Sequence, residues 1–289
     1  MVTISKDEEI IKRGLIANPS IINPSDRLIE TLKLYETLPV AHKNYEVHTM
    51  TIEDALYDAQ KFLMYYYKLH KVPSVSIYKL LGHQIHLGRT VNPLKLPVNL
   101  VQGDDIFSGS VTEIITNRNP HIIFSEINLN GQTTEQTSSS YVHEITHTQL
   151  DRLKGSIQEY YNMEVLSIFN ELFHASILDN DERILRLNDS RRIYEMSISA
   201  QELRDHHDGK SLMSRDELLD CCKYLISDLK AYKLFAIFYS ANDTIKNEIL
   251  DDIQSIFDGF MTVEELLAKY EITLESIENS PQILKYYKR

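Results

Sequence analysis

Along most of this chain, apolar residues recur at spacings of three and four, the period of a helix with one buried face. Segments 5–16 and 24–38 read as two short amphipathic helices, the second opened by Pro24-Ser25-Asp26 and closed by Pro39. Thr51-Ile52-Glu53-Asp54 reads as an N-cap with an acidic first turn. The helix it starts runs through Tyr65-Tyr66-Tyr67 toward His70. The texture then changes over 73–131, where Pro73, Pro93, Pro97 and Pro120 alternate with glycines and leave no room for long helices. Two strands are predicted there, over 110–117 and 121–130. The second alternates in part, with Ile123, Ser125, Ile127 and Leu129 set against Phe124, Glu126 and Asn128. It is either a plain structural strand or an edge on which an extended peptide would pair. Helical periodicity returns over 157–178, 182–206 and 214–240. A fourth helix, capped by Asn242 or Asp243, stops at Gly259, and a short fifth opens at Thr262. Ser214-x-x-Glu217 and Thr262-x-x-Glu265 are capping boxes.

Composition narrows the function classes. The chain has 289 residues, 43% hydrophobic and 25% charged, enough for a substantial core. The balance of 30 basic and 42 acidic residues gives a net charge of −12, which argues against a nucleic-acid partner. No apolar run approaches the ~20 residues that span a bilayer, and the first 24 residues show no secretory signal. Cys221 and Cys222 are adjacent, which suits two reduced thiols in a cytoplasmic protein.

The sharpest chemical signal is Tyr141-Val142-His143-Glu144-Ile145-Thr146-His147. Residues four apart share a helix face, so His143 and His147 are expected to aim at one Zn2+ ion, with Glu144 reaching a bound water as general base. The polar run Ser138-Ser139-Ser140 offers N-caps to this helix and Gly155 a stop. Catalytic zinc needs a third protein ligand. A metzincin would place Gly at 150 and His at 153, and both are leucine. The next helix offers Glu159, Glu164 and Glu171.

The stretch Met163-Glu164-Val165-Leu166-Ser167-Ile168-Phe169-Asn170-Glu171 resembles the E-x-x-S-x-x-N-E pattern that follows the zinc helix in oligoendopeptidase F and its thimet-oligopeptidase relatives. That resemblance implies Glu164 as third ligand, with Glu171 as support behind the metal. It also implies that Tyr232 and Tyr239, seven apart, hydrogen-bond the tetrahedral intermediate. Two positions depart from the family: Thr146 stands for its glycine, and Ser227 for its histidine five residues before the first tyrosine. The chain is also much shorter than those peptidases, and the match is confined to about residues 141 to 172. His206-His207 is a second candidate donor.

The expected fold class is α+β and mostly α, a zincin-like catalytic domain of gluzincin type with a small sheet before the His143–His147 helix. The expected organisation is an N-terminal helical part over 1–72 and a metallopeptidase domain over 73–289. That domain would comprise a sheet (73–131), zinc helices (137–178) and C-terminal helices (182–289). The expected activity is zinc-dependent hydrolysis of a peptide or protein, with one zinc held by His143, His147 and Glu164 and catalysis by Glu144, Tyr232 and Tyr239. The alternatives are a regulatory metallopeptidase cleaving one protein, similar to those that cleave phage-type repressors, and a non-catalytic zinc-binding partner protein.

Overall fold

The computed structural model describes residues 27, 28, 30, 49–67, 75–81, 84–91, 98–102, 111–114, 120–124, 132–150, 157–178, 183–210 and 212–279. The helix predicted over 5–16, most of that over 24–38, and the stop at Gly155 fall outside them.

Strand β1 (Thr49–Thr51) leads directly into helix α1 (Ile52–Tyr67). The helix start follows the sequence: the Thr51 hydroxyl accepts the Asp54 backbone N–H at 3.0 Å. Its inner face is set by Ala55, Ala59, Phe62, Leu63 and Tyr67, all buried. Each large side chain of that kind contributes about 1.5–3 kcal/mol when removed from water. Five strands follow: β2 (Val75–Leu81), β3 (Gln84–Val91), β4 (Val98–Gln102), β5 (Val111–Ile114) and β6 (Pro120–Phe124). They form a sheet of order β3-β2-β4-β6-β5, with a parallel centre and antiparallel edge pairs. Pro120 stands at the first residue of its strand, a position that tolerates a missing N–H. Strand β7 (Gln132–Thr134) pairs antiparallel with β1 and runs straight into α2 (Glu135–Leu150).

The elements described after α2 are helices: α3 (Ile157–Leu178), α4 (Arg183–His207), α5 (Arg215–Ser240), α6 (Asp243–Phe257), α7 (Val263–Lys269) and α8 (Leu274–Asn279). Both predicted capping boxes form, at Ser214/Glu217 and at Thr262/Glu265. Asn242 caps α6 through its side chain. Leu218, Cys222, Leu225, Leu229 and Tyr232 give α5 a buried stripe at helical spacing.

The chain divides into two compact units. One holds 44–152 and 170–185; the other holds 153–169 and 186–289 together with the N-terminal segment. Within the second, Phe169, Phe235 and Phe238 form an aromatic core, with Phe169 and Phe238 5.3 Å apart and edge-on.

The expected fold class is corrected. The described residues are mostly helical, and a zincin-like catalytic domain with a sheet feeding the His143–His147 helix is not what they form. The strand that enters α2 is three residues long and belongs to a two-stranded ribbon with β1, distinct from the sheet of 75–124. The helix also begins earlier than expected. Ser138, Ser139 and Ser140 lie within α2 and are buried, so they do not act as its N-cap.

Candidate functional site

Helices α1, α2 and α3 meet along a seam of buried polar side chains, all within the first unit. Helical geometry brings them together. Ser139, His143 and Thr146 are four and then three apart on α2; Asn170 and His174 are four apart on α3, with Glu171 beside them. Three sets of contacts form along this seam.

At one end, the Asp58 carboxylate of α1 accepts from His174 Nε2 at 3.0 Å, and the Ser139 hydroxyl lies 3.0 Å from His174 Nδ1. A carboxylate only accepts, so Nε2 carries a proton; in the neutral ring Nδ1 then accepts from Ser139. The Ser138 hydroxyl adds a longer bond to the same Asp58 oxygen at 3.4 Å. Burial acts to raise the Asp58 pKa, but the hydrogen bonds from His174 and Ser138 and the charges of His174 and Lys61 outweigh it. The carboxyl is held below its ordinary 3.8.

In the middle, His143 Nδ1 lies 3.2 Å from the Glu171 carboxylate, which is wholly buried. At the other end the Tyr67 hydroxyl donates to Asn170 Oδ1 at 2.5 Å, and Asn170 Nδ2 donates to the Thr146 hydroxyl at 3.2 Å. Thr146 in turn donates to the Val142 carbonyl one turn back at 2.8 Å. Burial pushes the Tyr67 phenol well above its ordinary range, so it remains a donor.

The first set has the composition of a nucleophilic triad, and its geometry rules that chemistry out. Ser139 has no exposed surface, and its hydroxyl faces Nδ1 while the carboxylate faces Nε2, the reverse of a working Ser-His-Asp arrangement. The seam is a buried hydrogen-bonded lock between three helices. Of the residues in its three contact sets, Asp58 reaches the surface most clearly, with a side chain 38% exposed.

From the seam a run of rings leads outward along α1. The His174 ring stands edge-on to Phe62 at 5.0 Å, Phe62 meets Tyr66 at 5.0 Å, and Tyr66 meets Tyr65 edge-on at 4.9 Å. Phe173 closes against Phe62 and Tyr66 at 5.1 and 4.7 Å. The predicted tyrosine run therefore splits by environment. Tyr67 is buried, Tyr66 half-buried, and Tyr65 is 74% exposed beside Met64, with Tyr57 two turns earlier.

Among the described residues no group of three or more His, Cys, Asp or Glu is placed to hold a metal ion. The zinc cofactor, the metallopeptidase activity and the alternatives built on zinc are corrected accordingly. A zinc site needs three converging ligands. His143 Nδ1 meets Glu171, Glu164 is half-buried on α3, and the side chains of Glu144 and His147 lie outside the described residues. So does that of Glu159. Tyr232 is buried on α5, and Tyr239 is half-buried with its ring 5.5 Å from Phe235. His206 is half-buried, and the His207 side chain lies outside the described residues.

Sequence reasoning missed Asp58, Ser139, Asn170 and His174 as partners. The signal was present on α3, where Asn170 and His174 stand four apart in a mostly apolar helix, whereas α2 is polar along most of its length and does not single out Ser139. No pattern pointed to Asp58 across 116 residues. Known protein families, curated proteins and solved structures offer no match to this chain. No described helix is long and apolar enough to cross a membrane.

Proposed function

We propose that the chain binds a peptide or protein partner through the outer face of α1. The observation that carries this is the exposure of Tyr57, Met64 and Tyr65 on one side of a helix whose other side is locked into the seam. Tyrosine and methionine are enriched where proteins meet, and tyrosine buries a large area while ordering few bonds. The backing matters as much as the exposure. Tyr65 is braced by Tyr66, which is braced by Phe62 and Phe173, so little entropy is left to lose on binding. The net charge of −12 favours a partner segment carrying lysine or arginine beside its apolar residues.

The test is selection of a displayed peptide library on the whole protein, followed by titration of the enriched peptides against Tyr65→Ser and Tyr57→Ser. Enriched sequences are expected to combine basic and aromatic residues and to lose about tenfold or more in affinity for Tyr65→Ser. Enrichment of nothing, or of peptides that bind both variants like the parent, would sink this reading.

Two further readings belong to the same proposal. A cytoplasmic setting is supported by both cysteines being thiols and not a disulfide, with burial and the neighbouring Cys221 pushing the Cys222 thiol up to about 12. Descent of residues 141–172 from the same helix pair as in oligoendopeptidase F relatives is supported by residue spacing alone. A profile of natural relatives that retrieves no member of that family would end that idea.

A further inference from the structure

A second surface lies in the other unit, independent of α1. Residues 242–279 carry ten Asp and Glu against two Lys, a net of eight negative charges in 38 residues. Both lysines are engaged locally. Lys269 Nζ is held by Asp252 at 2.7 Å and Glu248 at 2.9 Å, and Lys246 Nζ lies 5.8 Å from the centre of the Phe238 ring. The last turn of α6 contains no basic residue, so the negative end of its helix dipole adds to the same field.

At that end the chain closes in a Schellman motif. Gly259 takes φ 80°, its N–H bonds to the Ile256 carbonyl at 3.0 Å, and the Phe260 N–H bonds to the Ser255 carbonyl at 2.8 Å. A large apolar residue after such a glycine ordinarily folds back onto the last turns of its own helix. Phe260 does not; it is 86% exposed, with Asp258 and Glu264 exposed on either side in sequence. An exposed phenyl ring on a rigid helix terminus, within a strongly negative field, fits a partner that is apolar on one side and cationic around it.

We infer that Phe260 and the acidic helix ends around it dock a basic, amphipathic polypeptide segment, whose apolar side covers the ring and whose lysines or arginines meet Asp258 and Glu264. Charge complementarity selects this occupant over a second copy of the chain, because two copies would bring like charges together.

The experiment titrates the full chain with a labelled amphipathic peptide of leucine and lysine at helical spacing, and with an oligolysine of equal charge. The amphipathic peptide should bind about tenfold or more tightly than oligolysine. Phe260→Ala should remove most of that advantage while leaving oligolysine binding unchanged. Asp258→Asn combined with Glu264→Gln should weaken both probes and flatten their salt dependence. Phe260 is exposed, so the variant is expected to melt with the parent, which circular dichroism checks. Equal binding of the two probes, or full affinity in Phe260→Ala, overturns the inference. So does loss in Tyr65→Ser with none in Phe260→Ala, which would assign the peptide to α1 instead.

Discussion

A buried hydroxyl and a half-buried carboxylate illustrate how much rests on single atoms here. Tyr67→Phe removes only the oxygen that donates to Asn170, yet it strands a buried acceptor. The expected cost is about 1–3 kcal/mol, read from the shift in urea midpoint at unchanged slope. Asp58 gives a pH signature. Its folded pKa is depressed, so its stabilising contribution is present above the ordinary 3.8 and is lost as pH falls through the lower folded value. The stability difference between the parent and Asp58→Asn should therefore be flat above about pH 5 and shrink toward more acid pH. A difference that grew on acidification would contradict the assigned direction. Cys222 offers a third check. With its pKa pushed up to about 12, about one thiol in ten thousand is thiolate at pH 8, and intact-mass analysis should show it resisting iodoacetamide in the native protein. The residue scale is also where the zinc reading failed. His143 and His147 have the right spacing on one helix, but spacing along a helix says nothing about which carboxylate from elsewhere faces them. Glu171 lies beside His143, and among the described residues no third group joins them to hold a metal ion.

At the scale of elements, the helix ends were the most legible feature of this chain. Ser214 and Thr262 were predicted as caps and Asn242 or Asp243 as a third; Ser214, Thr262 and Asn242 each accept a first-turn backbone N–H through the side chain. Capping is a local reaction between residues three apart, so it survives almost any tertiary setting. Ser214→Ala should cost about 1 kcal/mol, seen as a lower melting temperature with no change in the folded circular dichroism spectrum. The serines at 138–140 show the converse. Their composition suggested a cap, but the chain enters α2 from β7 and the helix starts at Glu135, so all three are carried into the interior. Whether a serine caps or is buried depends on where the preceding residues are already hydrogen-bonded, and here the ribbon with β1 decided it.

For the whole molecule, charge dominates what can be anticipated. With a net −12 and an isoelectric point near 5.4, solubility should pass through a minimum close to pH 5.4, with light scattering rising there and falling on either side. Scattering that stayed flat through that range would mean the acidic groups are spread too evenly to matter. Raising ionic strength at neutral pH should weaken the docking of any basic partner.

The sequence by itself determined helices α3 to α7 and the caps of α5, α6 and α7, because each follows from neighbours within a few residues. Tertiary structure alone decided which polar groups share an interior. Asp58 meets His174 across 116 positions, and Tyr67 meets Asn170 across 103. Such pairings have no period to betray them. They form because a helix that buries its apolar face must also find partners for every polar atom carried in with it. The same packing separated Tyr65 from Tyr67, two neighbours with identical side chains, into an exposed contact and a buried donor. A rotation of 200° along a helix was enough to divide them.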